Sequence, residues 1–154
     1  MIVNPKDSRV FDTGGFKSTK TDMTVDDLYA KFLEVFGVAR THCVNMYGMT
    51  ELSSQIYDQN LLSYYTDGSS NYLKATPSWV RSVFLDPATL TPVADGEQGV
   101  IAHYDLANWN SCLAILTEDL GVRTDSGYEL NGRAKGAEAR GCSIAVDEVM
   151  AANA

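Results

Sequence analysis

The sequence has little that would support a metal centre, a disulfide framework or a membrane span. Its 154 residues include three cysteines, none of them in a CxxC pair, and two histidines. An odd number of widely spaced cysteines predicts neither a disulfide framework nor a zinc site. No window approaches the roughly 20 apolar residues that a membrane helix requires, and the first residues lack the apolar region of a signal peptide. We therefore expect a soluble, cytoplasmic protein.

Basic residues are also scarce. Twelve lysines and arginines stand against 20 aspartates and glutamates, which gives a formal net charge of −8. This charge argues against binding to nucleic acid or to anionic membranes. The apolar content of 45% is sufficient for the core of one domain, or of two small subdomains that share a core. Because cysteine and histidine are scarce, organic or phosphate chemistry is favoured over chemistry at a Cys/His metal centre. Carboxylates remain available for Mg²⁺.

The beginning of the chain predicts a strand followed by a helix. The segment 8–17 predicts a short strand, which the pair Gly14-Gly15 ends because glycine adopts backbone angles that other residues avoid. Thr24 followed by Asp27 is the pattern of a capping box, and apolar residues then recur at helical spacing until a glycine can end the helix. We expect this helix to be amphipathic and to pack on a sheet.

The next segment predicts a strand, a turn and a second helix. Residues 43–46 form a short apolar run that indicates a strand bounded by Gly48. A helix is predicted from Thr50 to about Tyr57. Residues 63–71 show no period and are rich in Ser, Tyr, Asp and Gly, which predicts a loop. Beyond Pro77, short apolar runs at 79–85, 99–104, 112–117 and 127–131 predict antiparallel strands.

The strand-to-helix turn carries the residues with the clearest chemical potential. The ring of Tyr47 can stack on a purine, and Gly48 lets the backbone approach a ligand. Thr50 can bind a phosphate oxygen near a helix N-terminus, and Glu51 can hold Mg²⁺. An ordinary capped helix explains the same residues equally well.

Residues 47–51, with the sequence Tyr-Gly-Met-Thr-Glu, resemble the adenine-binding motif of the adenylate-forming enzymes, which include acyl-CoA synthetases, firefly luciferase and peptide-synthetase adenylation domains. Three further segments resemble motifs of this superfamily in the same order. They are residues 96–100 (Gly-Glu-x-Gly), 116–120 (Thr-Gly-Asp, with Glu118 where most relatives have glycine) and 127–133 (Gly-Tyr…Gly-Arg). Residues 12–17 and 135–143 are most similar to the acyl-protein synthetase branch, typified by LuxE of bacterial bioluminescence.

The resemblance implies roles for individual residues of a nucleotide site. Tyr47 would stack on adenine, Thr50 would contact the α-phosphate and Glu51 would bind Mg²⁺. Gly14 and Gly15 would line the pocket for the acyl group and adenine. Gly48 would belong to the same nucleotide-binding turn.

Two residues from the later motifs are implied to hold the ribose hydroxyls, namely Asp119 and Arg133. Without the family pattern, Asp119 would be interpreted as a turn residue and Arg133 as a solvated surface charge. Cys142 is a candidate acyl acceptor, because this branch carries its acyl group on a cysteine near the C-terminus. Arg140 would favour the thiolate, although free cysteines are more often inert and buried.

The implied fold class is α/β (α+β), with a partial α/β sandwich subdomain followed by an antiparallel β-barrel-like subdomain. Residues 1–76 would form the C-terminal part of the α/β nucleotide-binding subdomain, 77–133 the β-barrel-like subdomain, and 134–154 a hinge and truncated lid. The Ser/Thr/Gly-rich phosphate loop of the family does not occur before Asn45. We therefore expect the C-terminal half of such an enzyme, weakly active or inactive alone.

The implied activity is that of an acyl-protein synthetase-like ligase. It would activate a fatty or aromatic carboxylic acid with ATP to an acyl-adenylate and pass the acyl group to a thiol or protein. ATP/AMP and Mg²⁺ are the implied cofactors, and the missing N-terminal half is an expected partner. The alternative is a non-catalytic nucleotide-binding half or partner subunit; an unrelated acidic α+β domain would require four chance motifs in order.

We expect no catalytic role for the remaining cysteines and histidines. Cys43 and Cys112 lie in apolar strand-like runs and are expected to be core residues. His42 and His103 are expected to be structural or surface residues, because no partner pattern marks either as a base.

Overall fold

The computed structural model describes residues 8–13 and 24–134. In these residues eight strands form one mixed sheet, in the order β1-β2-β3-β4-β8-β7-β6-β5. The strands are β1 (Val10–Thr13), β2 (Cys43–Tyr47), β3 (Ile56–Asp58), β4 (Lys74–Ala75), β5 (Val80–Leu85), β6 (Gln98–Asp105), β7 (Ala114–Thr124) and β8 (Gly127–Arg133). The α-helices are α1 (Val25–Phe36) and α2 (Asn60–Asp67). Strands β1 and β2 are parallel, and the other described pairs are antiparallel. The α+β class is confirmed.

Helix α1 has the ends that its sequence predicts. The Thr24 hydroxyl accepts a hydrogen bond from the backbone N–H of Asp27 at 3.2 Å, and the Asp27 carboxylate accepts one from the Thr24 N–H at 2.8 Å. Gly37 follows the helix with a φ of 68°, which glycine adopts without strain. Tyr29 packs its buried ring with Cys43, so the helix covers the sheet beside β2. Neither described α-helix is long and apolar enough to cross a membrane.

The predicted helix from Thr50 to Tyr57 is wrong. The chain instead makes a turn and enters β3. Its backbone N–H groups donate hydrogen bonds to polar side chains that are distant in sequence. Asn108 accepts a hydrogen bond from the N–H of Ser53 at 3.1 Å, and Asp105 accepts one from the N–H of Ser54 at 2.9 Å. These donors are therefore unavailable to a helix.

The predicted loop at 63–71 is also wrong in part, since α2 occupies residues 60–67. The Asn60 amide donates hydrogen bonds to the carbonyl oxygens of Arg40 at 2.6 Å and Cys43 at 3.1 Å. The ring of Tyr64 lies against His42, with ring centroids 4.7 Å apart. These tertiary contacts stabilise a helix that the composition of the segment disfavours.

Strands β5 to β8 form the predicted antiparallel half as a meander. The meander is curved. The rings of Phe84 in β5 and Tyr128 in β8 lie 5.4 Å apart between centroids, although β6 and β7 lie between these strands in the sheet. Gly99 permits the close packing of β6 on β5, since a Cβ atom there would lie 2.7 Å from the backbone nitrogen of Leu85. The division at residues 76 and 77 stays a prediction.

The core confirms one of the two cysteine predictions. Cys43 is buried, whereas Cys112 is exposed, so the expectation that Cys112 belongs to the core is wrong. Cys112 precedes β7, and its thiol donates a hydrogen bond to the carbonyl oxygen of Ala114 at 3.3 Å. The apolar run that suggested a strand therefore begins outside the strand.

A row of polar side chains crosses β1 to β4, and we call Asp12, Asn45, Asp58 and Lys74 the inner row. The Asn45 amide donates to the Asp12 carboxylate at 2.6 Å, and its backbone N–H donates to Asp58 at 3.1 Å. The Lys74 ammonium donates to the Asn45 carbonyl oxygen at 2.8 Å. Lys74 is only 5% exposed; burial lowers its pKa and raises the pKa of Asp58. The inner row therefore supplies hydrogen-bond acceptors and negative charge to the buried Lys74 ammonium.

Candidate functional site

Three residues that the sequence assigns to a nucleotide site meet where the ends of β2 and β8 lie beside the middle of β7. The Tyr47 hydroxyl donates a hydrogen bond to Asp119 Oδ2 at 2.7 Å. Asp119 Oδ1 lies 3.4 Å from the Nε of Arg133. His103 of β6 lies behind Tyr47, and we call Tyr47, His103, Asp119 and Arg133 the Tyr47 cluster. The fold thus brings together residues that are up to 86 positions apart, from 47 to 133.

A bulge between β7 and β8 sets the position of Asp119 and Arg133. These two residues pair directly, and Gly121 pairs with Leu130, so two residues of β8 oppose one residue of β7. Gly132 adopts a φ of 86° inside this irregularity, which a residue with a side chain rarely adopts. Asp119 is therefore a strand residue beside a bulge, and the alternative interpretation as a turn residue is wrong.

The hydroxyl of Thr117 fixes the backbone of the same segment. It accepts a hydrogen bond from the N–H of Asp119 at 3.1 Å and donates one to the carbonyl oxygen of Ile101 at 2.7 Å. The threonine of the Thr-Gly-Asp-like motif consequently has a structural role, because it ties the segment that carries the carboxylate to strand β6.

Arg133 lies between two carboxylates. Its terminal nitrogen is 2.7 Å from Glu118, in addition to its contact with Asp119. The side chains of Arg133 and Asp119 are 29% and 22% exposed, so both reach solvent. Arg133 is thus an oriented cation at the surface, and the interpretation as a freely solvated charge is wrong. Glu118, which stands where most relatives have glycine in the resembled motif, supplies one of the anionic contacts of Arg133.

His103 is the part of the cluster that the sequence did not indicate. It is fully buried at 0% exposure. Its Nε2 lies 3.4 Å from the Tyr47 hydroxyl, and its Nδ1 lies 2.8 Å from the Ser82 hydroxyl. Burial lowers the pKa of His103 to about 4, against the opposing effect of the Asp119 and Asp105 carboxylates. The imidazole is therefore neutral at pH 7.

Tyr47 is held in its protonated form. Burial is the main cause of the rise in its pKa, and the neighbouring Asp119 carboxylate adds to it. A neutral phenol next to a carboxylate must act as the hydrogen-bond donor, since an ionised carboxylate only accepts. Tyr47 is partly buried and packs against the apolar core that includes Phe84 and Tyr128.

The other residues of the predicted turn lie apart from this arrangement. Gly48, Thr50 and Glu51 are exposed in the connection between β2 and β3. Thr50 has no helix N-terminus to assist it, because the predicted helix is a turn. A Cβ atom on Gly48 would lie 3.8 Å from the terminal methyl group of Met46, an ordinary contact, so the packing of the described residues does not require glycine there.

The turn is nevertheless anchored firmly. The Asn108 amide donates to the Glu51 carbonyl oxygen at 2.5 Å and accepts from Ser53. The buried Asp105 carboxylate accepts from both the backbone and the hydroxyl of Ser54, each at 2.9 Å. These contacts connect the turn to the end of β6. Thr50 and Glu51 therefore project from an ordered backbone.

The described side chains do not form a metal site by themselves. Within residues 8–13 and 24–134, no group of three or more His, Cys, Asp or Glu side chains is arranged to hold a metal ion. Glu51 offers one exposed carboxylate. Mg²⁺ commonly binds through one or two carboxylates together with substrate phosphates, so Glu51 fits an ion that arrives with a nucleotide.

A cleft of about 500 Å³ lies elsewhere on the meander. Its lining includes Lys74, Arg81, Arg123, Ser82 and Tyr128, but not the predicted nucleotide residues. The cleft and the Tyr47 cluster adjoin each other, because the Ser82 hydroxyl contacts His103 and Tyr47 packs against the apolar core that includes Tyr128. The predicted Gly14, Gly15 and Cys142 lie outside the described residues.

Comparison with known proteins agrees with the resemblance that the motifs indicate. A sequence model of the family described as "Acyl-protein synthetase, LuxE" matches residues 2–151. The chain is 26% identical over 155 residues to a long-chain-fatty-acid–luciferin-component ligase of Aliivibrio fischeri, covering 91% of this chain and 37% of the relative. It is 27% identical over 90 residues to the protein of the same name in Vibrio harveyi, covering 54% and 24%. The chain thus spans about a third of the first relative's length.

The fold has counterparts among solved structures. Apo MatB from Rhodopseudomonas palustris matches with a TM-score of 0.54 and 19% sequence identity, over 82% of this chain and 26% of that chain. At this identity the similarity is one of fold. It places the mixed sheet and its meander in an architecture that is already known.

Proposed function

The chain belongs to the acyl-protein synthetase, LuxE family, and we propose that it is the nucleotide-holding portion of an adenylate-forming ligase. The whole enzyme would activate a carboxylic acid with ATP and pass the acyl group to a thiol or protein. The curated relatives are named for the ligation of a long-chain fatty acid, which favours a fatty acid over an aromatic one. The proposed location is the cytoplasm.

The observation that carries this proposal is the meeting of Tyr47, Asp119 and Arg133. An aromatic face suits a purine, and a carboxylate suits the two hydroxyls of a ribose. Asp119 Oδ2 accepts from Tyr47, but a carboxylate has about four lone-pair sites. It therefore retains the capacity to accept hydrogen bonds from a sugar. Arg133 places its positive charge beside the same carboxylate.

The proposed reaction has two transfers. In the first, a carboxylate oxygen of the acid attacks the α-phosphorus of ATP, and pyrophosphate leaves to give an acyl-adenylate. In the second, a thiolate attacks the acyl carbonyl and AMP leaves. The described residues would contribute by binding and orienting the nucleoside, since a fixed position of the reactants removes much of the entropic barrier.

The phosphate end of the nucleotide would lie at the anchored turn. We assign the α-phosphate contact to Thr50 and one Mg²⁺ ligand to Glu51, with Gly48 in the same turn. Bound Mg²⁺ would neutralise charge on the phosphates. The exposure of these side chains leaves them free to meet phosphates, and the bonds from Asp105 and Asn108 support the backbone that presents them.

Some parts of the proposal rest on the family motifs alone. Gly14 and Gly15 remain proposed residues of the pocket for the acyl group and adenine, and Cys142 remains the proposed acyl acceptor. A phosphate-binding loop is proposed to come from outside residues 1–154. Mass spectrometry of the full-length enzyme tests Cys142, because undiminished acyl transfer by a Cys142→Ser variant would remove the thioester role.

Calorimetry with AMP and ATP, with and without Mg²⁺, tests the nucleotide site in the chain itself. We expect adenine nucleotides to bind in preference to GTP. Tyr47→Ala should weaken AMP binding by about 1 to 3 kcal/mol through loss of stacking. Tyr65→Ala is the matched control, because Tyr65 is an exposed tyrosine on α2. Equal affinity in the wild type and the Tyr47→Ala variant would remove Tyr47 from the site.

A further inference from the structure

We propose that His103 is a positioning residue of the nucleotide site: it directs the proton of the Tyr47 hydroxyl to Asp119 and thereby orients the carboxylate that would hold the ribose. This inference rests on the proposed function and deepens it. It begins from the two contacts of the buried imidazole, to the Tyr47 hydroxyl at 3.4 Å and to the Ser82 hydroxyl at 2.8 Å.

The direction of each hydrogen bond follows from counting donors. Ionised Asp119 can only accept, so the single proton of the Tyr47 hydroxyl points at Asp119. The Tyr47 oxygen can then only accept from His103, which requires a proton on Nε2. A neutral imidazole with Nε2–H has an acceptor at Nδ1, so the Ser82 hydroxyl must donate there. One tautomer satisfies all three contacts.

The opposite tautomer would disturb the site. With the proton on Nδ1, the bare Nε2 would be a second acceptor facing the Tyr47 hydroxyl, whose one proton goes to the nearer, charged Asp119. The Nε2 and the Tyr47 oxygen would then be two acceptors in a buried contact, and their repulsion would displace Tyr47 and weaken the bond that orients Asp119. Ser82 is compatible with the Nε2–H tautomer, because its hydroxyl can donate to the bare Nδ1.

The separation between Nε2 and the Tyr47 oxygen predicts a modest effect. At 3.4 Å it exceeds the usual range for an N–H···O bond, although such contacts in ligand-free sites commonly tighten on binding. We expect the imidazole to matter through the direction it imposes more than through its own bond strength. Its removal should weaken AMP binding about fivefold.

Nitrogen NMR of the wild-type chain gives the first test. The sequence has only two histidines, His42 and His103, so a His42→Gln variant assigns the imidazole signals. At pH 7 we expect His103 to show a protonated Nε2 and a bare Nδ1. Protonation of Nδ1, alone or together with Nε2, would overturn the proposal whatever the chain binds.

AMP binding to matched variants gives the second test. His103→Leu removes both nitrogens and should weaken binding about fivefold, whereas His103→Gln keeps an N–H near the Nε2 position and should remain within about twofold of the wild type. His42→Leu should have no effect. Thermal unfolding of each variant shows whether it is folded. If His103→Leu does not fold, AMP binding by His103→Gln and the NMR measurement of the wild-type tautomer still test the proposal.

A double-mutant cycle separates positioning from packing. If His103 acts through the Tyr47 hydroxyl, His103→Leu should add no further loss of affinity to Tyr47→Phe. Additive losses would show that His103 supports the site only by packing, and would contradict the proposal. Failure of the wild-type chain to bind AMP would instead contradict the proposed function, whereas AMP binding that His103→Leu leaves unchanged contradicts this inference alone.

Discussion

Lys74 and Arg133 are both cations set among carboxylates, yet one is buried in the sheet and the other reaches solvent. Lys74 is 5% exposed and lies near Asp12 and Asp58. Arg133 is 29% exposed and lies between Glu118 and Asp119. The inner row and the Tyr47 cluster therefore use similar groups in different dielectric surroundings.

The two networks start on the same face of one strand. Asn45 and Tyr47 are two residues apart on β2, so their side chains point to the same side of the sheet. Asn45 leads into contacts that end at a buried ammonium, whereas Tyr47 leads to a carboxylate and a guanidinium that are partly exposed. Burial thus decides whether a polar network serves stability or remains available for a ligand.

Lys74→Met should give the largest loss of stability. The variant removes the donor to the Asn45 oxygens and the cation whose charge favours ionised Asp58, and leaving such partly buried groups without their partner costs about 3 kcal/mol of unfolding free energy. Urea denaturation measures the change. Lys31→Met is the control, because Lys31 is exposed on α1 and its replacement should cost less than about 0.5 kcal/mol.

A second substitution sharpens this test. In the Lys74→Met background, Asp58→Asn removes the uncompensated charge and should restore part of the lost stability. Equal stability of Lys74→Met and the wild type would mean that the inner row does not depend on its cation, and the contrast with Arg133 would disappear.

Acid should expose the corresponding weakness of the Tyr47 cluster. The pKa of His103 is lowered to about 4 in the folded state, so the unfolded chain binds the proton more readily. The associated stability is fully present above about pH 6.5 and is lost as the pH falls toward 4. At pH 5 the loss amounts to about 2 kcal/mol for this group.

Urea denaturation at pH 7 and pH 5 isolates this term. His103→Gln should lose less stability between the two values than the wild type does, whereas His42→Gln should lose as much as the wild type. The Asp119 and Asp105 carboxylates face His103 and oppose the lowering of its pKa. An identical pH dependence in His103→Gln would contradict the assignment of a neutral buried imidazole.

Asp119→Asn should separate ligand binding from stability. Because the Asp119 side chain is partly exposed, its replacement should change the unfolding free energy by less than about 1 kcal/mol. AMP binding should weaken about tenfold, since hydrogen bonds to a charged group contribute more than neutral ones. The measurement is calorimetry with AMP and with its 2′,3′-dideoxy analogue.

The analogue supplies the internal control. It lacks the hydroxyls that Asp119 would hold, so its affinity should be nearly the same for the wild type and Asp119→Asn. A tenfold loss for both ligands would place the effect of Asp119 on the site as a whole, and not on the ribose.

The elements that the sequence predicted correctly depend on neighbouring residues. The capping box of Thr24 and Asp27 and the glycine after α1 act within one turn of the chain. The helix predicted after Gly48 failed because Asp105 and Asn108, more than 50 residues away, take its backbone donors. Short-range patterns cannot register such competition.

The candidate site divides in the same way. Tyr47, Asp119 and Arg133 were indicated by motif order, and their meeting depends on a bulge that only a glycine at position 132 hints at. His103 carried no signal, because its partners are 21 and 56 residues away. A buried histidine becomes informative only when the fold shows which hydroxyls face its two nitrogens.

Glu118→Gln should have the smallest effect and the most specific one. The pair between Glu118 and Arg133 is partly exposed, with side chains 49% and 29% accessible, so its loss should cost less than about 1 kcal/mol of stability. AMP is anionic, and removal of the carboxylate beside Arg133 should increase its affinity about twofold to threefold at low salt. Calorimetry at two salt concentrations measures both changes.

Glu129→Gln on the same strand β8 makes an equal change in net charge at an exposed position. A long-range field would raise AMP affinity in both variants and disappear at high salt in both, because exposed charges beyond a Debye length are screened. A local effect would persist only in Glu118→Gln. That outcome would show that Glu118 competes with the nucleotide for Arg133, whereas equal behaviour of the two variants would return Arg133 to a structural role like that of Lys74.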